Sequence, residues 1–406
     1  MTRIRLKDVV VTNRRTLPET TDPDLTFRYI DISAVSTGSI TVPADDTRFE
    51  TAPSRARRLA EPGDVVVSTV RTYLKAVARV PKSSHRLVFS TGFAVLHPDR
   101  ERLDSRYLGY FCESAPFIDS IVARSVGVSY PAINASEVAD MPVDLPPLEE
   151  QRRIADFLDT ETTRLDRIAD RRLRQLEHLA ERRWSHFESL VVEAGATPIP
   201  VRRTLRRLTD GPFGSAFSSD DYTTEGAVVV RLGNIGFAEY RAESQARIPI
   251  ALFEQLKRHR VHDGDLLIAG LGDAVNHAGR ACVAPDLGVA IVKGKCFAAT
   301  VDNAVADAKY LALLFSSPIG RSTFETRGST RQMINLEIVR SALIPLPSLP
   351  VQGTIVEESL KTEQLRTAAA ASITRSVELV RERRRALITA AVTGELDVTT
   401  ARGVSA

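Results

Sequence analysis

The 406-residue chain is predicted to be an α+β protein, with two mixed α/β globules separated by two long antiparallel helices that form a coiled coil in a pseudo-twofold repeat. Three observations predict it. The length suits two or three domains of roughly 100 to 200 residues each, not one. Sequence features recur at a fixed offset of 201 residues. Each copy also changes texture partway along, from strand-and-turn punctuation to a long run free of Pro and Gly.

The repeat is anchored by Leu145-Pro146-Pro147-Leu148-Glu149-Glu150-Gln151-Arg152-Arg153-Ile154, which returns as Leu346-Pro347-Ser348-Leu349-Pro350-Val351-Gln352-Gly353-Thr354-Ile355. The same register holds for Gly63-Asp64 and Gly264-Asp265, for Ile133-Asn134 and Ile334-Asn335, and for Arg182-Arg183 and Arg383-Arg384. Coincidence does not keep register over such distances, so the chain reads as two diverged copies of one unit. Tyr107-Leu108 returns two residues out of step, as Tyr310-Leu311.

In the first globule, residues 1–144, short runs rich in Val, Ile, Thr and aromatics lie between Gly, Pro and Asp, the pattern of strands and turns. These runs are Phe27 to Ile32, Asp64 to Val70 and Leu87 to Leu96. Residues Ser105 to Ser120 are predicted to be helical, with Leu108, Phe111, Cys112 and Phe117 near helical spacing. Residues 145–196 are predicted to form the first long helix, on the order of 65 Å at about 1.5 Å per residue. Pro146-Pro147 opens it, and Gly195 and Pro198 stop it. Its apolar stripe, Ile154, Leu158, Leu165, Ile168, Leu176, Leu179, Phe187 and Leu190, is as narrow as a coiled-coil seam. Residues 197–345 are the second globule and 346–397 the second long helix, with the stripe Ile355, Leu365, Ile373, Val377, Val380, Leu387 and Ile388. Residues 398–406 are expected to be a disordered tail. Since the first helix delivers the chain to the second globule and the second must return to pair with it, the pair is expected to be antiparallel.

Composition narrows the function. Hydrophobic residues make up 43% and charged residues 26%, which excludes global disorder. No apolar run approaches the roughly 20 residues that span a bilayer, and Met1-Thr2-Arg3-Ile4-Arg5 lacks the apolar block of a signal peptide, so the expectation is a cytoplasmic protein without a membrane partner. Cys112, Cys282 and Cys296 form no CxxC pair and are expected to be buried. A net charge of +3 permits a nucleic-acid partner without proving one, because phosphate is bound by local patches.

Enzyme signatures fail one by one. No Asn or Asp precedes two prolines and an aromatic, as an adenine methyltransferase needs. Gly270-Leu271-Gly272 lacks the third glycine of a nucleotide fingerprint, since position 275 is Val. Five residues separate Gly288 from Gly294, and Cys296 follows Lys295, so there is no phosphate loop. Pro285-Asp286 with Lys293 has Ile291 where a nuclease needs its second acid. His259 and His262 have no evident third ligand, and a GxSxG elbow is absent.

The duplicated helix entrance, the helix end Arg383-Arg384-Arg385-Ala386-Leu387-Ile388-Thr389-Ala390-Ala391-Val392-Thr393-Gly394-Glu395-Leu396, and Gly211-Pro212-Phe213-Gly214-Ser215 opening the second globule together resemble the specificity subunit of type I restriction-modification systems. The resemblance covers essentially the whole chain. It implies two target recognition domains that read a split double-stranded DNA sequence. It also implies two modification subunits, which bind S-adenosylmethionine and methylate adenine at N6, and restriction subunits that translocate and cleave DNA. This subunit is then no enzyme and carries no cofactor. The second helix entrance departs from the first, with Pro350-Val351 and Gly353-Thr354 in place of Glu149-Glu150 and Arg152-Arg153.

Residues expected at DNA are those on loops with groups for phosphate or for base edges. In the first globule these are Arg71, Tyr73 and Lys75, and Arg124, Ser129 and Tyr130. In the second they are Asn276 and His277, Lys293 and Lys295, and the run Arg327, Ser329, Thr330, Arg331 and Gln332. No catalytic or metal-binding residue is expected. The rival reading is a non-catalytic scaffold or regulatory protein whose two globules bind other proteins.

Overall fold

In a computed structural model, residues 2–212, 218–243, 245–273, 275–324 and 333–398 are described. The chain divides into two units, Met1–Arg174 with Ile373–Ala406, and Gln175–Ser372. Each contains one globule with parts of both long helices.

In the first unit, the β-branched run Val65–Ser68 is buried on both faces and sits inside a four-stranded antiparallel sheet. The strand order is Val77–Arg79, Val65–Ser68, Phe93–Pro98, Val10–Thr12. A second sheet runs Arg15–Thr16, Ala56–Leu59, Leu87–Ser90, Thr26–Ile30, Thr47–Arg48, with Leu87–Ser90 and Thr26–Ile30 parallel. Thr2–Arg5 pairs with Pro142–Leu145, which brings the chain start to the helix entrance.

The second unit repeats this plan. Its first sheet runs Ala281–Val283, Leu266–Ala269, Cys296–Val301, Leu205–Asp210, the same order strand for strand. Its second runs Arg260–Val261, Ala290–Val292, Ala227–Val230, Ala246–Ile248, again with one central parallel pair. Pro198–Pro200 pairs with Leu343–Pro345. The 201-residue offset seen in the sequence is thus an offset between equivalent strands, Val65–Ser68 and Leu266–Ala269.

The helix expected over Ser105 to Ser120 is two helices, Ser105–Glu113 and Ala115–Arg124. Pro116 lies in the first turn of the second, where its missing N–H costs nothing, and it forbids continuation of the first. Leu108, Cys112 and Phe117 are buried as their spacing predicts, whereas Phe111 is partly buried at the core's edge. All three cysteines are free and buried, and burial pushes the thiols of Cys282 and Cys296 up to about 12.

The second long helix, Leu349–Thr393, is continuous. The first is not. It runs Leu148–Glu181, breaks at Arg182, Arg183 and Trp184, and resumes as Ser185–Glu193. Neither Gly nor Pro is present at the break. Instead the Arg183 N–H bonds back to Ala180 O at 3.2 Å, its guanidinium donates to Phe237 O at 3.4 Å, and Trp184 meets Phe187 edge-on at 6.2 Å. Tertiary contacts have overridden local propensity.

Within each unit the two long helices run in opposite directions. In the first, Arg384 lies 3.3 Å from Asp166, while Ile154 and Leu158 share a core with Ile388, Ala391 and Val392. In the second, Arg183 lies 3.5 Å from Glu363, while Phe187 and Val191 share a core with Ile355 and Val356. Beside each globule the seam is close-packed. Leu365, expected on it, is 66% exposed.

Candidate nucleic-acid interface

The strand Val65–Ser68 leads into a tight turn that begins at Arg71 and ends at Lys75, both left-handed, with φ of 50° and 53°. Two non-glycine residues in that conformation on either side of one short turn, Thr72–Leu74, mark local strain that the surroundings must hold. They do so through a second loop, which follows the helix Ala115–Arg124. Thr72 donates its hydroxyl to Ser125 Oγ at 2.7 Å, the Ile133 N–H donates to Thr69 O at 2.9 Å, and Val70 bridges Ala132. Val126 and Ala132 close the second loop by exchanging backbone hydrogen bonds of 2.9 and 3.0 Å.

Six expected residues lie on or beside these two joined loops, and the structure brings two of them, Arg71 and Tyr130, into contact. The Arg71 guanidinium lies over the Tyr130 ring at 5.0 Å, and Lys75 lies 3.7 Å from Asp119. Tyr73, Arg124, Ser129 and Tyr130 are exposed. The loops therefore expose cationic, aromatic and hydroxyl side chains.

The second unit keeps the frame at the same offset. Leu271 bridges Met333, and the Ile334 N–H donates to Gly270 O at 2.9 Å, as Val70, Ala132, Ile133 and Thr69 do in the first unit. The loop contents differ. Asp273 accepts from the backbone N–H of Asn276 and of Val275, each at 2.8 Å, and from the Asn276 amide at 3.1 Å, which holds its carboxyl below the usual range. The Asn276 side chain is therefore tied to its own loop. His277 is only 9% exposed; its ring nitrogens lie 2.9 Å from Ala278 O and 3.3 Å from Ser316 O, so the ring points inward.

Lys293 and Lys295 flank the turn between Ala290–Val292 and Cys296–Val301. Lys293 donates to Tyr222 OH at 2.7 Å, and Lys295 to Met333 Sδ at 3.0 Å. Gly211 passes so close that a Cβ there would stand 2.1 Å from the Lys293 carbonyl carbon, which explains the glycine in the sequence around it. Arg327, Ser329, Thr330, Arg331 and Gln332 lie outside the described residues. Met333, next in sequence, accepts from Lys295 and bridges Leu271.

Sequence reasoning missed two kinds of residue that build these surfaces. Arg280, 5% exposed, donates to Ile235 O, Leu271 O, His277 O and Leu232 O at 2.9 to 3.2 Å and so ties down the loop carrying Asn276. Nothing in the sequence around Arg280 signals a buried arginine. Gln151 and Gln352 are the others. Each is fully buried and accepts from the N–H of a helix-capping aspartate, Asp104 or Asp307, while donating to Pro146 O or Pro347 O. Their signal was in plain view, since glutamine survives at the same place in both copies of an otherwise altered motif. His259, noted for its spacing to His262, is buried, with ring nitrogens beside Asp210 O and the Arg258 guanidinium.

The architecture is a duplicated α/β globule, each copy running into a long helix and each keeping the same bridge beside the end of its central strand. Residues 3–178 match the family of the type I restriction modification DNA specificity domain. No curated protein matches the chain. Among solved structures, a chain described under the structural basis of complex assembly and conformational transition of the type I R-M system is 24% identical, with a TM-score of 0.72, covering 97% of this chain and 98% of that one. The HsdS subunit from Thermoanaerobacter tengcongensis is 23% identical, with a TM-score of 0.50, covering 97% of each. The chain shares their fold over nearly its whole length, and the family match is confined to its first globule and first long helix. No helix among the described residues is long and apolar enough to cross a membrane.

Proposed function

We propose that this chain reads a bipartite sequence in double-stranded DNA, one half-site per globule, and does no chemistry itself. The globules are residues 1–144 and 197–345; the helices, 145–196 and 346–397, dock two modification subunits, which supply S-adenosylmethionine and methylate adenine at N6, and through them the restriction subunits. Its place of action is the cytoplasm, where those partners and the DNA are.

The observation that carries this reading is the repeated loop frame. The same bridges at the same offset hold two loops whose side chains differ, which is what two readers of different half-sites require. Arg71, Tyr73, Lys75, Arg124, Ser129 and Tyr130 are assigned to the first half-site. Asn276, Lys293, Lys295, Arg327, Ser329, Thr330, Arg331 and Gln332 are assigned to the second. His277 is assigned to supporting the loop, because its ring faces the core.

Sequencing of methylated adenines in cells that express this chain with its modification partner tests the proposal. A split motif with an unspecified spacer is expected. Substituting Arg331 or Gln332 should change the second half alone. Uniform or absent methylation, or a change in both halves, would overturn it in favour of a protein-binding scaffold.

A further inference from the structure

The loop that closes at Val126 and Ala132 exposes large apolar side chains at its tip. Val128 is fully exposed, Val126 is 80% exposed and Tyr130 67%. Scattered surface valines need no explanation, but these sit within a few residues of each other on a built loop. Gly127, at φ 117°, makes the turn; a Cβ there would lie 3.1 Å from Tyr130 O. Arg71 lies over Tyr130 of this loop at 5.0 Å, and the exposed Arg124 precedes Val126 by two residues, so the apolar side chains stand beside two cations. At the same offset in the second copy, Val126-Gly127-Val128-Ser129-Tyr130 is replaced by Arg327-Gly328-Ser329-Thr330-Arg331, with the glycine kept and the apolar side chains lost.

Building on the DNA-reading role argued above, we infer that Val126 and Val128 determine specificity in the first half-site by packing on the 5-methyl group of thymine in the major groove. Exposed cations beside apolar side chains suit a polyanion. Among the base-edge groups of the major groove, hydrogen-bonding atoms serve polar side chains, and the thymine methyl is the apolar group that distinguishes a base. The first globule thus reads partly by apolar contact, and the second by polar groups at the equivalent position.

The test uses the complex of this chain with its modification subunits. Methylated-adenine sequencing first gives the half-site that changes when Arg71 or Tyr73 is substituted. Duplexes are then made with deoxyuridine in place of each thymine of that half, which removes the methyl and nothing else. Loss of one buried methyl predicts about fourfold weaker binding at one or two positions. In V126A/V128A the same replacement should have no effect, while thymine duplexes bind it as weakly as the wild type binds deoxyuridine. No loss at any thymine, an equal loss in V126A/V128A, or a half-site without thymine would overturn the assignment while split-site methylation persists. Loss of sequence-specific methylation by the unsubstituted complex would instead reject the DNA-reading role. Both valines are exposed, so the variant is expected to fold, and retained recognition of the second half-site confirms it.

Discussion

Arg384 and Arg183 occupy the same place in the two copies, and their surroundings show how one residue is used twice. Arg384 donates to Glu113 at 3.0 Å, a nearly buried pair at the end of the helix Ser105–Glu113, and also lies against Asp166. Burial pushes the Glu113 carboxyl up, against the pull of Arg384. In the second unit the equivalent helix ends on Ser316, which bonds Ala281 O and the Ala238 N–H, and Arg183 turns to Phe237 O and Glu363. Removing one partner of a buried pair strands the other, so Arg384→Met should destabilise the first unit by about 3–5 kcal/mol. Adding Glu113→Gln should recover most of it, with amide hydrogen exchange of residues 105–113 as the readout. A single variant as stable as the wild type would show that the pair holds nothing. Arg280 poses a related test, since four carbonyls depend on one guanidinium. Arg280→Lys keeps the charge but lacks the fork, and it should blur the second half-site while leaving the first sharp. Equal blurring of both halves would count against a local role.

The helix entrances show how far elements can be read from sequence. Leu-Pro-Pro-Leu and its echo located both long helices to within a few residues, because proline and the abrupt loss of turn residues are local signals. The strands at Val65–Ser68 and Leu266–Ala269 were legible for the same reason, as short apolar runs after Gly-Asp. The break at Arg182–Trp184 was not, since it depends on Phe237, Glu363 and Phe187 meeting it in space. The inward turn of His277 was equally hidden, because Ser316 and Phe237 are far off in sequence. Gln151 and Gln352 join the two levels. Each fastens its helix to the loop before a globule helix, so Gln151→Leu should leave the Asp104 N–H and two carbonyls unsatisfied in a dry site. A loss of about 3 kcal/mol is expected in chemical denaturation, with Gln352→Leu costing a similar amount in the other unit. A large difference between the two would show that the copies no longer share this clamp.

At the scale of the whole molecule, 54 basic residues are nearly balanced by 51 acidic ones, so a net charge of +3 provides little long-range attraction to DNA. Binding must therefore rest on a small number of local cations, and their count is measurable. Each phosphate contact contributes about −0.9 to the slope of log affinity against log salt. In the first unit Arg71 and Arg124 are exposed, while Lys75 already has Asp119 at 3.7 Å. Arg71→Ala and Arg124→Ala should each reduce the slope by about one, and Lys75→Ala by less, because a lysine shared with a carboxylate displaces less of the counterion atmosphere. Arg71→Ala carries a second expectation. It releases the Tyr130 ring from the cation above it, so the first half-site should lose sharpness as well as affinity, whereas Arg124→Ala should weaken all sequences alike. Titrations of the assembled complex at several salt concentrations, on specific and scrambled duplexes, separate the two effects. A flat salt response in the unsubstituted complex would mean that apolar protein contacts, not phosphates, are what these globules bind.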